Sequence, residues 1–183
     1  MLSRCCLVIL AGILASGCAT YAVAKFPEVA PPAAVHADAP KVGLAPIADS
    51  RRDQGVGWIG SGTPVFADLG LSQYIQQKFH NQMVEEGFAP VEVAIPSNDK
   101  DPAPYKTVLV TLQSSNFGNV GVAGGSTDIA VQVFAPASRK IVFAQSYLGI
   151  QRKNGAPGSA LAAAADSAIS QAFSDPALLA VLR

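Results

Sequence analysis

Residues 41–183 of this 183-residue chain predict a two-layer α+β sandwich. The expected sheet is mixed or mainly antiparallel, with about five strands, two helices on one face and a short C-terminal helix. Three observations carry the expectation. Leu71, Ile75, Phe79 and Met83 recur every four residues, the apolar stripe of an amphipathic helix. Between residues 105 and 150 runs rich in Val, Ile and Thr alternate and are separated by Gly-rich or short polar turns, which reads as a hairpin series. Leu161, Ala165, Ile169 and Phe173 then share a helix face flanked by Ala164, Ala168 and Ala172, small enough to lie close on a sheet. Helices and strands in this arrangement pack as two layers around one core.

The elements follow in order. Residues 42–47 form a short apolar run between Pro40 and a polar stretch, which predicts a strand. Residues 49–64 hold four glycines and the charged run Asp49, Ser50, Arg51, Arg52 and Asp53, which predicts a loop. A helix follows Asp68 and ends at Glu85 and Glu86, with Gly87 placed as a left-handed stop. Residues 88–95 predict a strand that Pro90 confines to a sheet edge. Residues 105–113 are the strongest strand, residues 118–125 a Gly-rich turn, and residues 127–134 and 140–150 the arms of a hairpin. A helix is expected over 158–173. Ser174, Asp175 and Pro176 then stop and restart the chain, with a capping side chain before a proline at the first helical position of residues 177–182.

The N-terminal region has a different character. Arg4 precedes an uncharged, mostly apolar stretch over residues 7–14, and Leu14, Ala15, Ser16, Gly17 and Cys18 read as a lipobox. The expectation is a cleaved lipoprotein signal over 1–17 and lipidation of Cys18. An ordinary cleaved signal and a membrane-anchor helix are the alternatives, although the apolar run is about half of the roughly 20 residues that a spanning helix needs. Of the three cysteines, cleavage removes Cys5 and Cys6, which leaves no pair for a disulfide and no thiol for a metal site. Ala19, rather than Asp, after the acceptor cysteine favours sorting to the outer membrane. Residues 18–40 carry Pro27, Pro31, Pro32 and Pro40 among many alanines and predict an extended linker of roughly 3 Å per residue that holds the domain off the membrane. The alternative is an edge segment packed on the domain around residues 21–26.

With these residues in place, the chain resembles the YajG-type lipoproteins of Gram-negative envelopes. The resemblance rests on the lipobox at Cys18, the strand leading to Asp49, Ser50 and Arg51, and the helix from Asp68 to Gly87 and Phe88. The β-run from Thr107, the hairpin at Asp128, and the Ala-rich helix with its Ser174–Asp175 restart complete it. It covers most of residues 41–182 and implies a small envelope lipoprotein, with no catalytic residues to carry over.

Composition bounds the chemistry. Thirteen basic residues balance thirteen acidic ones, and no basic run exceeds a pair, so nucleic acid has no electrostatic footprint. Gly55, Gly57 and Gly60 spell G-x-G-x-x-G around Trp58, but no strand directly precedes them and no helix follows, so no dinucleotide cofactor is expected. His36 and His80 lack a second ligand at metal spacing, and no metal is expected. Asp99, Asp101 and Ser61 have no identifiable partners for acid–base or nucleophilic work. The expected role is therefore non-enzymatic: attachment to the membrane by lipid and binding of another envelope component. An accessory subunit of an envelope transport or surface-assembly complex is the second reading. A hydrolase would have to assemble its site from Asp, Ser or His residues far apart in the chain. The expected interaction surface is the loop carrying Arg51, Arg52, Trp58 and Ile59. Trp58, the only tryptophan, is its anchor or else folds onto the core.

Overall fold

A computed structural model describes residues 21–32, 34–52, 54–59, 62–67, 69–95, 103–118, 124–152 and 155–183. The expected signal segment, Cys18, Ala19, Ser61, Asp99 and Asp101 lie outside them. The described chain is α+β, with three helices and an open mixed sheet of nine strands. The strands are β1 (Ala22–Val23), β2 (Lys41–Leu44), β3 (Ala48–Asp49), β4 (Gly55–Ile59), β5 (Thr63–Phe66), β6 (Ala89–Glu92), β7 (Thr107–Gly118), β8 (Gly124–Phe134) and β9 (Ile141–Gln151). The helices are α1 (Leu69–Glu85), α2 (Pro157–Phe173) and α3 (Pro176–Leu182).

β7 is the spine. On one side it begins the antiparallel meander β7–β8–β9. On the other side the chain from Lys41 to Ile59 runs alongside it in three parallel pieces, β2, β3 and β4. β6 extends the sheet parallel to β2, and β5 and then β1 extend it beyond β4. Two expectations are corrected here. The strands number nine rather than about five, and five of the eight pairings among the described residues are parallel, although the two longest are antiparallel. The extra strands are two to five residues long, too short for a periodicity to register in sequence.

The expected helix faces are the buried ones. Leu71, Tyr74, Ile75, Phe79, Met83 and Val84 of α1 face inward. At its end the Phe88 N–H donates to the Met83 carbonyl (2.9 Å) and the Gly87 N–H to the Val84 carbonyl (3.0 Å), a Schellman stop with Gly87 at φ 85° and Phe88 buried. β8 buries every second residue, from Gly125 to Val133, beneath the helices. The Ala-rich face of α2 comes so close to β9 that a Cβ at Gly149 would lie 1.8 Å from the Ala164 carbonyl oxygen. Phe79 and Phe173 meet at 4.9 Å between the helices. Full burial of a side chain such as Phe79 contributes about 2–3 kcal/mol.

The described part of the expected linker does not stand off. Ala22 and Val23 pair with Val65 and Phe66, and Ala24 is buried. Phe26 packs on Tyr74, with ring centres 6.1 Å apart, and the Ala30 carbonyl accepts from Asn81 Nδ2 at 2.7 Å. The segment crosses the helical layer as a strap, and its alternating Tyr-Ala-Val-Ala start supplies the strand.

Candidate functional site

The charged run after β3 folds back on itself. Arg51 Nε donates to Asp49 Oδ1 at 2.9 Å and Nη2 to Asp49 Oδ2 at 2.6 Å, a bidentate pair; Nη2 also reaches the Ala67 carbonyl at 2.8 Å. Ser72 Oγ of α1 adds a longer contact to Asp49 Oδ2 at 3.4 Å. The Arg51 side chain is only 4% exposed. Its hydrogen bonds hold the Asp49 carboxyl below the ordinary carboxylate range, against the opposing effect of burial. Arg51 is thus a structural clasp joining β3, the end of β5 and α1, whereas Arg52 is exposed.

This clasp sits at the base of a hairpin where a loop was expected. Val56 and Val65 point into the core, which lets a Gly-rich stretch pair as β4 and β5. Gly57, at φ 138°, lies against β7, where a Cβ would be 1.8 Å from the Phe117 carbonyl oxygen. Only glycine accommodates both constraints. The first two glycines of the G-x-G-x-x-G string therefore belong to a strand, not to a phosphate-binding turn, and Gly60 lies outside the described residues.

Alternation along β4 sends Trp58 and Ile59 to opposite faces. Ile59 packs against the core. Trp58 is 60% exposed, so it does not fold back. Trp58 lies opposite Pro64, and Phe66 lies beside Val23. Tyr21 meets Phe66 edge-on at 5.8 Å. Tyr21 (66% exposed), Val23 (49%), Trp58 and Phe66 (36%) therefore form one aromatic face on the side of the sheet away from the helices. Of the four residues expected to act together, only Trp58 belongs to this face. Tyr21, Val23 and Phe66 are not among the expected site residues. Their signal was the alternation on either side of Ala22 and Val65.

A separate cleft of about 470 Å³ opens at the carboxyl ends of parallel β2 and β6, lined by Leu44, Ile47, Ser72, Gln76, Glu92 and Val93. Such crevices commonly take ligands. Here Gln76 Oε1 is already engaged by the Ile47 N–H at 2.9 Å, and Glu92 is the one carboxylate among the described residues of the lining. Among the described residues no three of His, Cys, Asp and Glu come together as a metal site. His36 is exposed, and His80 borders a groove beside Pro31 and Pro32. Two tyrosines pair with carboxylates: Tyr74 with Asp166 (3.0 and 3.1 Å) and Tyr147 with Asp175 (2.7 Å). Burial, and then these carboxylates, push both phenols above their ordinary range. Asp175 is held low by the Tyr147 hydroxyl and by the Ala177 N–H that it caps. Both pairs fasten helices to their neighbours.

No family model matches the chain, and no curated protein does. Its fold is similar to that of protein XCC0632 from Xanthomonas campestris, of the family-model DUF330, with a TM-score of 0.50 and 11% identity over 89% of this chain and 93% of that one. The PelC dodecamer from Paraburkholderia phytofirmans gives 0.48 and 13% over 78% and 91%. Lipoprotein GNA1162 from Neisseria meningitidis gives 0.46 and 7% over 74% and 99%. At these identities the likeness is one of fold alone.

Proposed function

We propose that this chain is a lipid-anchored envelope protein of the outer membrane, facing the periplasm, with a non-enzymatic binding or structural role; its resemblance to the YajG-type lipoproteins supports the placement in the envelope. Cys18 carries the lipid. The face holding Trp58 meets the envelope component that the domain binds. The observation that carries the reading is this face: three aromatic rings and a valine clustered on a sheet surface that no helix among the described residues covers. A photo-crosslinking residue placed at position 58 in cells should form an adduct, while the same residue at the exposed Gln113 should not. Capture at 113 with none at 58 would sink the choice of surface. Cys18→Ser tests the anchor separately: the variant should leave the membrane fraction, and its retention there would remove lipidation from the account.

The second reading, a subunit of an envelope transport or surface-assembly complex, draws on β9. It is an eleven-residue edge strand without a charge or a proline, and Val142, Leu148 and Ile150 are exposed along it. Such an edge is open to strand addition. Co-purification of a partner with the natural chain but not with Leu148→Lys would favour it.

A further inference from the structure

We infer that the face formed by Tyr21, Val23, Trp58 and Phe66 rests on the surface of the bilayer to which Cys18 is attached. This deepens the proposed function by naming the bilayer itself as the envelope component that meets the face, and it depends on the assignment of the lipid to Cys18.

The first argument is length. Tyr21 follows Cys18 by three residues. Fully extended, three residues span at most about 11 Å. Tyr21 is itself part of the face, since it stacks edge-on against Phe66. An acyl chain on Cys18 therefore brings the bilayer to within about one residue-triplet of these rings. The second argument is that no spacer intervenes further along. After Val23 the chain is committed to the domain: the Ala24 N–H donates to the Phe66 carbonyl at 2.8 Å, the Lys25 backbone fits against Gly158, and Asn81 holds Ala30. The Pro-containing stretch that would have been a stand-off is used up in crossing the helices.

The third argument is chemistry. The strands β1, β4 and β5 carry no charged residue, and Lys25, exposed, lies two residues past the end of β1. Trp and Tyr rings with apolar neighbours and a nearby cation suit the headgroup layer, where one end of each ring is wet and the other apolar. Because the face lies on the opposite side of the sheet from α1 and α2, contact there leaves the helical layer and the cleft at β2 and β6 turned away from the lipid. The domain thus lies on the membrane with a fixed orientation rather than swinging on a tether.

Trp58 is the only tryptophan, so its emission reports this face alone. The protein would be purified from the envelope, weighed intact to establish acylation of Cys18, and reconstituted in phosphatidylethanolamine–phosphatidylglycerol vesicles with and without brominated acyl chains. The expected result is blue-shifted emission that brominated lipid quenches roughly two-fold, as for a ring seated about 5–10 Å into the headgroup and acyl boundary. Tyr21→Ser combined with Phe66→Ser should abolish most of the quenching without changing the far-ultraviolet circular dichroism. Acylated protein whose Trp58 ignores brominated lipid overturns the inference and leaves the lipid assignment standing. In that case quenching by aqueous acrylamide would mean an exposed face, and shielding from both quenchers would mean that protein covers it. Unacylated Cys18 overturns the inference and the lipid assignment together.

Discussion

Asp49 and Arg51 are two residues apart, and their pairing decides what the charged run is for. The Arg51 guanidinium is nearly fully buried, so its partner cannot be removed without leaving a cation inside the fold. Asp49→Asn should therefore cost about 2 kcal/mol at neutral pH, less than for a fully buried pair because the Asp49 side chain keeps 24% of its exposure. Replacing Arg51 by Met in the same chain should recover part of the loss. The pH dependence has a definite sign. The Asp49 carboxyl is held below its ordinary value of about 3.9, so its contribution is complete above that pH and is lost as pH falls further. Urea denaturation at pH 7 and at pH 3 should show the variant and the natural chain converging in acid. A constant gap across that range would mean that the Asp49 charge does not stabilise the fold.

Among the elements, the helices are tied down by two tyrosine–carboxylate pairs, one from Tyr74 of α1 to Asp166 of α2 and one from Tyr147 of β9 to Asp175 before α3. Both phenols are held above the ordinary tyrosine value of about 10, so the folded state favours their protonated forms. That stabilisation is complete below about pH 10 and is lost as pH rises towards the folded values. Alkaline titration followed by tyrosinate absorbance should show two tyrosines ionising late, together with loss of circular dichroism. Tyr147→Phe should remove one of them and cost about 1 kcal/mol. Ionisation of all four tyrosines before any unfolding would contradict both pairs.

The same scale shows what sequence could carry. α1, α2 and the β7–β8–β9 meander were legible because each spans enough residues for a period of 3.6 or 2 to repeat. β4 and β5 were not, because their glycines read as a loop, and only the fit of Gly57 against Phe117 shows why glycine is needed in a strand there. Trp58 was legible as a single aromatic residue. The face it belongs to was not, since Tyr21 and Phe66 come from segments that meet only through the register of β1 with β5. The sequence places Arg51 at the surface because charge runs are usually solvated, whereas Asp49, two residues before it, supplies the partner that lets its side chain be buried.

For the molecule as a whole, the strap that follows β1 and crosses the helices before β2 connects the domain to whatever holds residue 18, so its docking sets how firmly the domain is oriented. The closest fit along it is at Gly158, the second residue of α2, where a Cβ would lie 1.8 Å from the Lys25 carbonyl oxygen. Lys25 is exposed, yet the peptide bond that follows it is pinned between this fit and the Phe26–Tyr74 contact. Trypsin should therefore cut between Lys25 and Phe26 only when the strap lifts, at a rate proportional to the lifted population. Gly158→Val leaves the sheet untouched but forces Lys25 away. Cleavage there should accelerate by about ten-fold, equivalent to roughly 1.4 kcal/mol of lost docking, with a much smaller change in global melting. With the proposed lipid on Cys18, the same cut on membranes should release the domain while the stub at Cys18 stays behind, so the product is read both by mass and by loss from the membrane pellet. Equal cleavage rates in the two proteins would mean that the strap is already free in the natural chain. The domain would then hang from the proposed anchor, and the aromatic face would have no fixed orientation towards the bilayer.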